Sequence, residues 1–61
     1  MHEYRIVQME AKNLSFAIEE VEKEVSYFMQ MGWKPQGGVS ISIKNLPTTA
    51  IYIVCQSIIR Q

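Results

Sequence analysis

The residues best suited to chemistry in this sequence gather in and around Trp33-Lys34-Pro35-Gln36-Gly37-Gly38. Two adjacent glycines expose backbone amide donors without side-chain shielding, which suits a phosphate or the edge of a nucleobase. The same pair also permits a β-bulge or a positive φ where the chain turns into a strand, and it lacks the glycine spacing of either established phosphate-binding loop. Trp33 is open to two readings as well: a plug beneath a helix end, or a surface on which a base stacks beside Lys34. Gln56 stands among apolar residues, Ile53-Val54-Cys55 before it and Ile58-Ile59 after. A buried amide there must find hydrogen-bond partners or cost about 1–3 kcal/mol, so it either pairs across a subunit interface or reads a ligand. Arg5 and Arg60 offer bidentate contacts to phosphate or a guanine edge, against the simpler reading of solvated charges near the termini.

Catalytic groups are scarce. The chain has no Asp, its one His is His2, and Glu19, Glu20, Glu22 and Glu24 fall together on what reads as the wet side of a helix. No acid/base pair emerges, and the expectation is a protein that is not an enzyme. Cys55, the only cysteine, lies mid-strand among isoleucines and reads as a small buried hydrophobe without a histidine to activate it. It cannot form an internal disulfide, and no Cys/His cluster suggests a metal site, so neither metal nor cofactor is expected.

Residues 1–61 are expected to form a single domain. A chain of this length buries only about 60% of the surface its unfolded form exposes, so the missing reinforcement is expected to come from self-association, as a dimer or tetramer. The start of the chain is polar, and the most apolar run, Ala50 to Ile59, is interrupted by Gln56-Ser57. That pattern predicts a protein neither secreted nor membrane-spanning, and with one thiol it fits a reducing cytoplasm. Formal net charge is zero but unevenly spread: Ser15 to Met31 has four Glu against one Lys, a balance of −3, so the remainder is +3. An anionic small ligand would therefore meet the strands and loops, not the helix, while near-neutrality argues against a long nucleic acid as partner.

Four elements follow from periodicity. His2 to Met9 alternates as a first strand. Asn13 or Ser15 can cap a helix in which Leu14, Ala17, Ile18, Val21, Val25, Phe28 and Met29 form one apolar stripe, with Glu19 and Glu20 near the positive end of its dipole. Gly32 supplies the left-handed residue that ends it. After the glycine pair, Val39, Ile41 and Ile43 alternate with Ser40, Ser42 and Lys44 as an edge strand, and Asn45-Leu46-Pro47-Thr48 makes a turn. Thr49 to Arg60 is apolar on both faces and belongs in the sheet centre. The expected fold is an α+β, β-α-β-β domain in strand order first, last, middle. All neighbours are antiparallel, one helix lies on one face, and the domain is a homo-oligomer through the sheet.

Tyr4 with Ile6-Val7 in an opening strand, an amphipathic helix, Gly32-Trp33-x-Pro35-x-Gly37-Gly38-Val39-Ser40 and a closing Gln56-Ser57-Ile58-Ile59 resemble a small bacterial and phage family catalogued as a domain of unknown function. The chain departs from it at Val54, where a Tyr commonly stands, and in a longer segment from Asn45 to Thr49. Phage proteins of this or a similar kind act as homo-oligomeric sponges for the cyclic nucleotide signals of host antiviral immunity, the anti-CBASS activity. The resemblance implies a cyclic dinucleotide or related nucleotide held between subunits by Tyr4, Arg5, Trp33, Gln36, Gly37, Gly38, Ser40, Gln56 and Arg60, in the host cytoplasm. The other reading is an interaction domain whose uncovered sheet face serves only assembly or a protein partner. On either reading, a β-branched residue at Gly38 is expected to damage the bulge or the ligand approach.

Overall fold

Alternating β-branched and apolar residues, an Asn cap and a helix-ending Gly turn this sequence into three strands and one helix. A computed structural model of the chain describes residues 2–61. Strand β1 spans Glu3–Ala11, helix α1 Leu14–Met29, strand β2 Lys34–Asn45 and strand β3 Ala50–Arg60. The sheet order is β1-β3-β2, with both pairings antiparallel, as the two apolar faces of β3 require.

The α1 start is fixed by Asn13, whose backbone is extended and whose Oδ1 accepts from the Phe16 amide at 3.0 Å. Ser15 lies inside the helix. Glu19 and Glu20 fall beyond the first turn, which holds no acidic residue, so they gain little from the helix dipole. The end is a Schellman closure: Trp33 N–H donates to the Phe28 carbonyl and Gly32 N–H to that of Met29, both at 3.1 Å, with Gly32 at φ +92. The Trp33 ring meets Phe28 edge-on at 6.0 Å, the apolar contact that accompanies this closure.

Strand boundaries differ from the sequence expectation, by one residue at the starts of β1 and β3 and further as follows. β1 runs on to Ala11 because β3 is long enough to pair Glu10 with Ile53 and Ala11 with Tyr52. β2 begins at Lys34, before the glycines, because Lys34, Pro35 and Gln36 pair with Ile59, Ile58 and Ser57. Asn45 closes β2 opposite Ala50, and the turn tightens to Pro47-Thr48, flanked by Leu46 and Thr49 exchanging backbone bonds at 2.8 and 3.4 Å. Met29, expected in the apolar stripe, is exposed. A row of residues four apart drifts about 40° per step around a helix, so by Met29 the row begun at Ala17 has turned off the sheet and Phe28 takes its place.

The core is Val7, Ala17, Val21, Val25, Trp33, Val54 and Ile58. The odd-numbered residues of β1 and even-numbered ones of β3 face α1, which lies over these two strands. The corresponding stripe of β2 stays uncovered: Val39, Ile41 and Ile43 are 53%, 48% and 57% exposed. The opposite sheet face carries no helix. The molecule is accordingly elongated, 44 × 18 × 13 Å, with a radius of gyration of 12.8 Å against about 10.5 Å for a compact chain of this length. No helix among the described residues is long and apolar enough to cross a membrane.

Ile58, fully buried under α1, anchors the core. Ile58→Ala is expected to cost about 2–5 kcal/mol and Asn13→Ala about 1 kcal/mol in urea unfolding, the first through a cavity and the second through a lost cap.

Candidate functional site

The nine residues marked by sequence separate into two neighbourhoods. Tyr4, Arg5, Trp33 and Arg60 line one open hollow of about 640 Å³ together with Glu3, Phe28 and Met31. Strand order brings them there. β1 begins where β3 ends, with Glu3 opposite Arg60, and the helix closure at Gly32 drops Trp33 beside both.

Within this hollow the two arginines are held differently. Arg60 makes a fork with Glu3, Nε to Oε1 at 2.9 Å and Nη2 to Oε2 at 3.0 Å, reaches the Met31 carbonyl through Nη1 at 3.4 Å, and lies 4.7 Å from the Trp33 ring centre. It ties both sheet strands to the helix end, and its planar donor array is largely committed. Arg5 lies over Phe28 at 4.9 Å and, among the described residues, has no carboxylate partner. Stacking on a ring aligns a guanidinium while leaving its N–H edges free. The Trp33 indole is buried and flanked by Phe28 and Arg60, so it is the plug of the two readings. The Tyr4 hydroxyl lies 3.0 Å from Ser57 Oγ, on the helix-free side of the sheet.

The second neighbourhood is the bulge. Gln36 pairs with Ser57 and Ser40 with Cys55, so Gly37, Gly38 and Val39 together oppose Gln56 alone. Two extra residues preserve the alternation of β2 while bending the strand. Gly37 has φ +74, the left-handed region, whereas Gly38 does not and has open space where a Cβ would stand. Buried Gln56 resolves the bulge: its Nε2 donates to the carbonyls of Gln36 at 3.4 Å, Gly37 at 3.3 Å and Ser57 at 2.9 Å. Neither a subunit interface nor a ligand is needed to satisfy that amide. Ser40 follows the bulge beside Cys55, whose Sγ lies 3.7 Å from Gln8 Oε1.

Sequence reasoning missed Glu3, Phe28 and Met31. Glu3 was within reach, since an antiparallel first and last strand in register sets residue 3 opposite residue 60; Phe28 was hidden by its membership of the helix stripe. Another depression, about 490 Å³, lies on the outer face of α1 among Glu19, Glu22, Lys23, Ser26, Tyr27 and Gln30, and contains none of the nine. Among the described residues, no group of three His, Cys, Asp or Glu side chains gathers as a metal cage would. Compared with family models, with curated proteins and with solved structures, the chain matches none.

The bulge geometry moves the expected sensitivity from Gly38 to Gly37, because backbone strain arises only where φ is positive. Gly37→Val is expected to destabilise the fold by about 1–3 kcal/mol and Gly38→Val by less than about 0.5 kcal/mol, measured by thermal or urea unfolding.

Proposed function

We propose that this chain is a non-catalytic, self-associating binding module that sequesters a small anionic nucleotide, of the cyclic dinucleotide class, at the hollow where β1, β3 and the end of α1 meet. The observation that carries the reading is Arg5, stacked on Phe28 and in no ion pair among the described residues, on the wall of a concavity of about 640 Å³ that also holds Tyr4, Trp33 and Arg60. That volume lies in the range of small-molecule sites. Two guanidinium groups against one carboxylate leave the hollow with net positive charge, which favours phosphate. Gln36, Gly37, Gly38, Ser40 and Gln56 serve this reading indirectly, by shaping β2. Binding without turnover is the chemistry of a sponge, which agrees with the resemblance to phage anti-CBASS proteins acting in the host cytoplasm.

An interaction domain is the second reading, and the uncovered Val39-Ile41-Ile43 stripe favours it. Calorimetry against a panel of cyclic di- and trinucleotides, with chromatography of each nucleotide after long incubation, separates the two. The sponge reading expects micromolar or tighter binding, intact ligand recovered, and about tenfold or greater weakening in Arg5→Ala. Absence of binding across the panel supports the interaction domain, and a cleaved nucleotide overturns the non-catalytic assignment.

A further inference from the structure

The sheet face opposite α1 has an apolar centre and oppositely charged flanks. Its central strand presents Ile51, Ile53, Cys55 and Ile59, all half-buried within a single chain. On the same face, β1 carries Glu10 at one edge, while β2 carries Lys34 and Lys44 at the other. Neither Glu10 nor these lysines has an ion-pair partner among the described residues. The chain also exposes 4528 Å², against about 4,100 Å² for a compact monomer of 7.1 kDa.

We infer that two copies of the chain pack through this face about a two-fold axis parallel to the strands, with β1 of each copy over β2 of the other. The inference rests on the self-association part of the reading above and is independent of its ligand. Two kinds of two-fold axis lie between facing sheets, and charge chooses between them. An axis across the strands lays β2 on β2 end for end, with the register centred on Cys55; Lys34 of one copy then meets Lys44 of the other, like charge on like. An axis along the strands lays the acidic flank on the basic one. Glu10 and Ser42 both stand opposite Ile53, and Lys44 stands opposite Ile51, one repeat of about 7 Å further along. Glu10 of each copy therefore reaches the Ser42 to Lys44 segment of the other across sheets about 10 Å apart, within the span of two long side chains. The central isoleucines of the two copies meet on the axis and lose their remaining contact with water, as the isologous rule requires. Opposite charge at the rims fixes orientation and register more than it adds affinity.

Sedimentation equilibrium of the wild-type chain, Glu10→Lys, Lys44→Glu and the double variant tests this, with circular dichroism as the check on folding. A wild-type dimer, at least about fivefold weaker in each single variant and restored to within about twofold by exchanging both charges, is the expected result. A dimer indifferent to all three variants but dissociated by Ile41→Lys would overturn the inference, placing the contact on the helix side of β2 while leaving self-association intact. A wild-type chain that stays monomeric at every concentration would overturn both.

Discussion

One helix must cover a sheet larger than itself, and the rest of the molecule follows from that mismatch. Sixteen residues make a helix about 24 Å long, whereas the 12 residues of β2 and 11 of β3 extend the hairpin to about 36–40 Å. α1 is laid over β1 and β3, where Val7, Val54 and Ile58 meet Ala17, Val21 and Val25 in a small core. Whatever lies outside that footprint must be polar, shielded by its own strand neighbours, or covered by something else. On the helix side the uncovered part is the β2 stripe; on the other side it is the whole central strand. Both are apolar, and that is the physical reason for the second copy proposed above.

The same constraint explains why the segment from Gly32 to Gly38 is so heavily specified. The chain must leave α1, plug the open end of the core and enter an edge strand within a few residues. Gly32 takes the left-handed conformation that closes the helix, Trp33 fills the gap beneath Phe28, and Pro35 is tolerated because β2 is an edge strand that needs no donor on its outer side. Gly37 then bends the strand, and the Gln56 amide, projecting from the central strand, holds the carbonyls that the bend exposes. Gly32, Trp33, Pro35 and Gly37 of a motif that looks like a ligand loop are thus accounted for as architecture. The functional site proposed above is a by-product of that architecture: closing the helix on Trp33 brings the ends of β1 and β3 beside it, and Arg60 locks the three together, leaving Arg5 as the cation of the hollow that has no ion-pair partner among the described residues.

Period and chemistry made the topology legible in the sequence. The two apolar faces of residues 50–60 placed β3 in the centre, and the alternation of Val39, Ile41 and Ile43 with Ser40, Ser42 and Lys44 placed β2 at an edge; the sheet order follows from those two observations. The role of Gln56 was not legible, because its partners are backbone carbonyls displaced by a bulge, and whether the extra residues fall at Gly37 or Gly38 depends on cross-strand register. The division of labour between Arg5 and Arg60 was hidden for a similar reason. It turns on Glu3, a residue 57 positions away in sequence from Arg60, which only the pairing of first and last strands brings within 2.9 Å. Met29 went astray through the geometry of the helix itself, whose four-residue rows rotate away from a flat partner.

On the proposed dimer, a second copy of the chain completes the fold, and folding and association become one equilibrium. The most direct measurement is the midpoint of thermal unfolding as a function of protein concentration. If native chains associate and unfolded chains do not, mass action raises the midpoint steadily over a hundredfold increase in concentration. A reversible transition whose midpoint does not move across that range would contradict the proposed dimer, since it would mean that half-buried Ile51, Ile53 and Ile59 need no further cover and that one helix suffices.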